Sequence, residues 1–117
     1  MRHGVIKHNL GAKHAKSRML MRNLATSLIM FDKVTTTEAK AKSLKSIIDR
    51  LISAVKKDDQ VTAIRKLNAY LLDEKASRKM MEVLKEKYQD RTSGFTRVMK
   101  DGIRAGDGAM RYLIEFV

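Results

Sequence analysis

Residues 95–117 read FTRVMKDGIRAGDGAMRYLIEFV, and the choice between strand and helix here settles the fold class of the chain. In the second half, Met110, Tyr112, Ile114 and Phe116 alternate with Arg111, Leu113, Glu115 and Val117. That period of two is the mark of a half-buried strand. Phe95 to Lys100 (FTRVMK) forms a second such run. Between the two runs lies DGIRAGDGA, a nine-residue connection with three glycines. The stretch predicts a hairpin with a wide loop. The change of character falls at Ser93–Gly94, and upstream of it the apolar residues repeat with helical spacing.

Working back from the hairpin, Asp73 is placed to cap a helix with Ala76, Met80, Val83, Leu84 and Tyr88 inside. Asp58 or Asp59 can cap another, burying Val61, Ile64, Leu67 and Leu71. Both helices mix charge signs evenly and read as scaffold. Thr35 and Glu38 have capping-box spacing, which predicts a helix start there. Its stripe is Leu44, Ile48, Leu51 and Val55, supported by Ile47 and Ile52. Lys33–Thr36 is a short β-branched run that reads as a strand. Ser17 is a candidate N-cap for a first helix with Leu20, Leu24, Leu28 and Phe31 on one face, Met21 and Ala25 beside them. The methionines fall mostly on these stripes and are expected to fill gaps in the core. The expected fold is α+β in two layers: four helices packed on a small three-stranded mixed sheet, in the order α-β-α-α-α-β-β. An extended basic N-terminal arm over residues 1–16 precedes a single globular domain over 17–117. No internal repeat, low-complexity segment or linker divides the chain.

The 117 residues carry a net charge of +12. Residues 1–31 hold six Lys or Arg, all three His and no acid, so about a quarter of the chain carries half the net charge. Blocks of like charge are usually interaction arms, and basic ones usually meet nucleic acid. The rival partner is an anionic membrane surface, but the first sixteen residues offer only Val5, Ile6 and Leu10 as large apolar side chains to insert. The longest wholly apolar run is Leu28 to Phe31, so neither a signal peptide nor a membrane span is expected. The absence of Cys excludes disulfides and thiolate metal sites and fits a reducing compartment.

Several constellations are weighed against blander readings. Gly102, Gly106 and Gly108 do not form a dinucleotide-binding pattern, and the loop joins strands instead of opening a helix. The glycines either serve turns that need positive φ or let backbone approach an RNA strand, with Arg104 supplying charge at the tip. His3, His8 and His14 lack metal-ligand spacing, so no metal or cofactor is expected; imidazoles in a basic arm bond phosphates or stack on bases. Nothing assembles a nucleophile with a base or a carboxylate pair in a cleft, and no enzyme or small-molecule substrate is expected. Arg18 and Arg22 lie four residues apart beside the first helix's stripe and extend the basic surface of the arm. Lys40, Lys42 and Lys45 occupy the first half of the second helix, where Lys45 can pair with Asp49. Six aromatics are too few for a single-strand stacking platform. Basic positions on an arm, a helix flank and a hairpin suit phosphate contacts along an irregular folded RNA, which position a protein without reading sequence. The alternatives are a free DNA-binding architectural protein and a small enzyme in which Asp101 or Asp107 meets a histidine.

MRH at the start, RMLMRNLATSLI, KVTTTEAKAKSLKSIIDRLISAVKK, DRTSGFTRVMK and IRAGDGAMRYLIEFV together resemble the bacterial large-subunit ribosomal proteins of the L-seventeen family. The resemblance runs from Met1 to Val117, and TTTEAKAK, GFTRVMK and RAGDGA are its most specific parts. It implies a two-layer α/β domain with a flexible basic arm, a structural and non-catalytic role in the cytoplasmic ribosome, and binding to large-subunit ribosomal RNA beside neighbouring ribosomal proteins. It implies RNA contacts at Arg2, His3, His14, Arg18, Arg22, Thr36, Lys40, Lys42, Arg91, Arg97, Arg104 and Arg111. Lys7, Lys13 and Lys16 join them on the charge argument alone. The arm departs from the family between Gly4 and Lys16, Ser93 replaces a usual glycine, and Pro is absent.

Overall fold

The computed structural model describes His3 and residues 14–117. Four helices and three strands follow in chain order: α1 (His14–Phe31), β1 (Lys33–Thr36), α2 (Glu38–Lys57), α3 (Gln60–Tyr70), α4 (74–87), β2 (Thr96–Ile103) and β3 (Met110–Phe116). The extended conformation expected of the arm, together with Arg2, Lys7, His8 and Lys13, lies outside the described residues. No described helix is long and apolar enough to cross a membrane.

The hairpin read from residues 95–117 is present, and it pairs with β1 to give the sheet order β1-β3-β2. Both ladders are antiparallel, so the sheet is antiparallel throughout and not mixed. The physical reason lies in β3. It is the most apolar strand and takes the centre, while the short β1 and the Lys- and Arg-bearing β2 form edges that resist further pairing. Val34, Ile114 and Val98 stand opposite one another and face the helices. The next row of the sheet, Lys33, Glu115 and Arg97, belongs to the other face.

Ile114 joins Leu28, Ile29, Leu44, Ile48, Ile52, Leu67, Met80, Leu84 and Phe95 in one continuous core. The helix patterns place most of these residues correctly and misplace several neighbours. Phe31 is exposed because α1 stops there: Asp32 takes φ 68° and its N–H bonds the Leu28 carbonyl at 2.8 Å. This left-handed turn is the usual device for ending a helix. On α3 the buried side is the narrow i+4 row Ala63, Leu67 and Leu71, leaving Val61 and Ile64 exposed. On α4 a π-helical turn over Met80–Leu84 widens the winding, so Met80 and Leu84 point inward and Val83 outward. Met21 and Met80 are buried as expected of gap-fillers, but Met19, Met99 and Met110 are exposed.

The caps divide similarly. Asp73 caps α4 as read, accepting the Lys75 N–H at 2.9 Å. Of the two candidates for α3, Asp59 holds the cap position. The Thr35–Glu38 capping box does not form, because Thr35 is paired in β1 and Thr37 starts the helix. Ser17 is buried inside α1, which begins at His14 and so takes in His14, Ala15 and Lys16. Alanine and lysine are strong helix formers and extend the helix past a residue that would otherwise cap it.

Candidate nucleic-acid interface

The clearest concentration of candidate residues is a cleft between the β1–α2 junction and the tip of the hairpin. Thr36, Lys40, Arg104 and Arg111 line it with Thr35, Thr37, Ala109 and Met110, around a volume of about 210 Å³. That is below the roughly 300–1,000 Å³ of typical small-molecule pockets. It suits an anion better than a cofactor. The N-terminus of α2 opens beside it, and the Thr37 side chain makes no capping bond. The first N–H groups of a helix lack intrahelical partners and favour negative charge.

The hairpin tip is more rigid than a wide loop. Strand β2 runs on to Ile103 through a bulge between Lys100 and Ile103. Gly102 sits in that bulge at φ 101°, a conformation that strains any side chain. Gly108 also has positive φ, so the turn reading of these glycines holds at both positions. The tip is closed by Arg104 N–H to the Ala109 carbonyl at 2.7 Å and Gly108 N–H to the Arg104 carbonyl at 2.9 Å. The Arg104 guanidinium grips Asp107 with two hydrogen bonds, Nε to Oδ1 at 2.9 Å and Nη2 to Oδ2 at 2.5 Å. That grip, aided by the Ala109 N–H, pulls the Asp107 carboxyl down to about 2. Arg111 donates to the Asp101 carbonyl at 3.3 Å. Beside the cleft, Lys42 pairs with Glu38 at 2.6 Å. The bond from Lys42 holds the Glu38 carboxyl below its ordinary range, with smaller help from Tyr112 and Lys100.

The remaining candidates are scattered. Arg97 pairs with Glu115, its direct cross-strand neighbour, at 2.6 Å on the helix-free face of the sheet. Arg91 donates to the Gly94 carbonyl at 2.9 Å in the connection from α4 to β2. Lys45 pairs with Asp49 at 3.5 Å as read, and also donates to the Thr96 carbonyl at 2.6 Å, which ties α2 to the sheet. His3, Lys16 and Arg18 are exposed, and His14 opens α1.

Arg22 does structural work. Its Nε donates to the Tyr70 carbonyl at 2.6 Å and its Nη2 to the Ala69 carbonyl at 3.3 Å. These are carbonyls at the end of α3, which have no partner within their helix and sit at its negative pole. One turn along α1, Thr26 Oγ1 accepts the Leu72 N–H at 3.2 Å. Together the two side chains fasten α1 to the α3–α4 junction. A charge-assisted hydrogen bond contributes about 1.5–3 kcal/mol. We expect Arg22→Ala to lower unfolding free energy by about 2 kcal/mol in denaturant titration, with Arg22→Lys recovering part. A loss below about 0.5 kcal/mol would mean that the capping bonds contribute little, as for ordinary surface substitutions.

Two larger grooves lie on the scaffold side. One, of about 400 Å³, runs between α3 and α4 past Ile64 and Met81, with Glu74, Arg78, Glu82 and Lys85 on its rim. The other, of about 410 Å³, adjoins it at Met81, Glu82 and Lys85 and extends to Lys56. Their rims mix signs, and no histidine lines either. Among the described residues no three His, Asp or Glu side chains are placed to hold a metal ion.

Sequence reasoning missed Thr35 and Thr37 as cleft-lining residues. The run of three threonines at 35–37 was the available signal, but it reads locally as strand and cap. Comparison with known proteins adds a separate line of evidence. A family model described as "Ribosomal protein L17" matches residues 20–117. A protein named "Large ribosomal subunit protein bL17" from Desulforudis audaxviator is 38% identical over 108 residues, covering 92% of this chain and 96% of that one. One of the same name from Thermoanaerobacter sp. is 41% identical over the same shares. Another from Syntrophotalea carbinolica is 38% identical across all 117 residues, which span 75% of its length.

Proposed function

The chain belongs to the ribosomal protein L17 family, and from that premise we propose that it is a structural constituent of the large ribosomal subunit, held on ribosomal RNA by phosphate contacts. The observation that carries the RNA reading is the cleft in which Thr36, Lys40, Arg104 and Arg111 meet beside the N-terminus of α2. Guanidinium and ammonium groups there can neutralise a phosphate while threonine hydroxyls and helix N–H groups donate to its oxygens. Such contacts fix position and do not read bases. By their charge in the sequence, Arg2, His3, Lys7, Lys13, His14, Lys16 and Arg18 add an RNA-binding arm and helix flank. Lys42, Arg91 and Arg97 stand behind them, since each already has an intramolecular partner. Arg22 adds charge while its hydrogen bonds hold α3.

On this reading the partners are large-subunit RNA and neighbouring proteins of the same particle, the location is the cytoplasmic ribosome, and the chain performs no catalysis. The family relationship weighs against a free DNA-binding architectural protein. The test is co-sedimentation of the tagged chain with large ribosomal subunits from its own source, before and after a high-salt wash. Residence in the subunit that only high salt removes is the expected result. Absence from the subunit at low salt would overturn the reading and promote duplex DNA as the partner.

A further inference from the structure

The two grooves on the scaffold side form one trough, since Met81, Glu82 and Lys85 line both. It runs from Glu74 at the start of α4 to Gln89 just past its end, about 22 Å at helical rise. That length seats an extended peptide of about six residues. Ile64 of α3 and Met81 of α4 give the trough an apolar floor. Met81 and Glu82 belong to the π-helical turn over Met80–Leu84, a feature frequent at functional sites. The charges along the trough balance, Glu74, Glu82 and Glu86 against Lys56, Arg78 and Lys85, on a chain of net charge +12. Glu74, Arg78, Glu82 and Lys85 follow one another at the helical spacing where opposite charges ordinarily pair. Lys42–Glu38 and Lys45–Asp49 on α2 do pair, but among the described residues none of these four makes an ion pair or a side-chain hydrogen bond. Ser77 lies in the same wall and is 6% exposed. Its Oγ is the one buried side-chain polar atom among the described residues without a hydrogen-bond partner. An unpaired buried hydroxyl is costly, so the wall favours a ligand that brings a donor or acceptor.

We propose that the α3–α4 trough docks an extended segment of a neighbouring ribosomal protein, one that carries both charge signs around an apolar side chain. The apolar side chain sits on Ile64 and Met81, where the flexible methionine adapts to its shape. Its charged groups pair with the alternating row on α4, and its backbone satisfies Ser77 Oγ. An apolar centre within a polar rim is the usual anatomy of a protein interface. RNA does not fit the trough, because its phosphates would meet three carboxylates and no net positive field. The trough thus serves protein, and the cleft and arm serve RNA. This inference rests on the ribosomal reading above and assigns a surface to the protein neighbours in it.

The chain has no cysteine, so one introduced thiol reports on one place. Asn68→Cys and Glu82→Cys put a thiol on each wall of the trough, both at exposed positions. Circular dichroism confirms that each variant is folded. Maleimide reaction rates are measured for the full chain alone, on protein-free large-subunit RNA, and within isolated large subunits. A trough covered about nine-tenths of the time or more slows both thiols about tenfold or more in subunits, while RNA alone leaves the rates unchanged. In parallel, wild-type subunits are treated with a zero-length carbodiimide, which joins only carboxylates and amines in contact. Glu74, Glu82 or Lys85 should be joined to another protein, within a peptide that holds acidic, basic and apolar residues. Thiols that stay fully reactive in subunits holding the chain, or that RNA alone protects equally, overturn the docking site. A cross-linked peptide that is uniformly basic overturns the chemistry assigned to the partner. Failure of the wild-type chain to enter the subunit overturns the ribosomal reading instead.

Discussion

Raising salt from about 50 to about 200 mM should weaken binding of the intact chain to large-subunit RNA about a thousandfold. The expectation rests on about six neutralised phosphates, each contributing roughly 0.7–0.9 to the log–log slope. Lys40, Arg104 and Arg111 supply three from the cleft, and the arm with Arg18 supplies the others. The total is far below the 25 Lys and Arg of the sequence, because many are engaged internally. Lys42, Lys45, Lys66, Lys79 and Arg97 are in ion pairs, and Arg22 is spent on carbonyls. Arg104 must exchange Asp107 for a phosphate, but both groups are well exposed and exposed pairs are weak, so the exchange is cheap. The measurement is a filter-binding or anisotropy titration at several salt concentrations. A slope shallower than about two would show that affinity comes from base or apolar contacts and would sink the phosphate reading.

Phe95→Ala should lower unfolding free energy by about 3–5 kcal/mol, a third or more of the total for a typical domain. Phe95 is 1% exposed. Its ring lies 5.3 Å from that of Tyr88, and the Lys56 ammonium stands 5.3 Å from its centroid. Tyr88 also packs on Phe116 and donates its hydroxyl to the Val117 carbonyl at 3.0 Å, while the Phe95 carbonyl accepts the Val117 N–H at 3.0 Å. The Phe95 ring thus meets the end of α4 and the far end of α2, while its backbone carbonyl ties the start of β2 to the end of the hairpin. Removing the ring leaves a cavity and unties the sheet from the helices. A melting temperature lower by roughly 10–20 °C is the expected result for a chain of this size. Phe95→Leu should recover much of the loss, since it keeps most of the volume. A loss under about 1 kcal/mol for the alanine variant would mean the core relaxes into the space, contrary to this description. The functional consequence is indirect: the cleft takes one wall from α2 and the other from the hairpin, so loosening their junction should weaken RNA binding as well.

The sequence by itself determined what depends on near neighbours. The period of two in residues 110–116 and the glycines at 102 and 108 specify a hairpin. Helical spacing specifies four helices, Asp73 supplies its own cap, and Lys45 finds Asp49 one turn away. The net charge of +12 and its gathering toward the N-terminus point to a polyanionic partner without any coordinates. Tertiary structure alone decided matters in which two distant segments meet. Whether β1 pairs with β3 or β2, and in which direction, depends on how α2 to α4 return the chain, and the local pattern of β1 is the same either way. Val61, Ile64 and Val83 are apolar at plausible spacing but exposed, because burial needs a neighbour to pack against. Arg18 and Arg22 are indistinguishable in sequence, four apart on one helix. Only the arrival of α3 makes one a cap and leaves the other free for a partner. A cation's role is set by the acceptor within about 3 Å of it. For Arg22 that acceptor is 48 residues away along the chain.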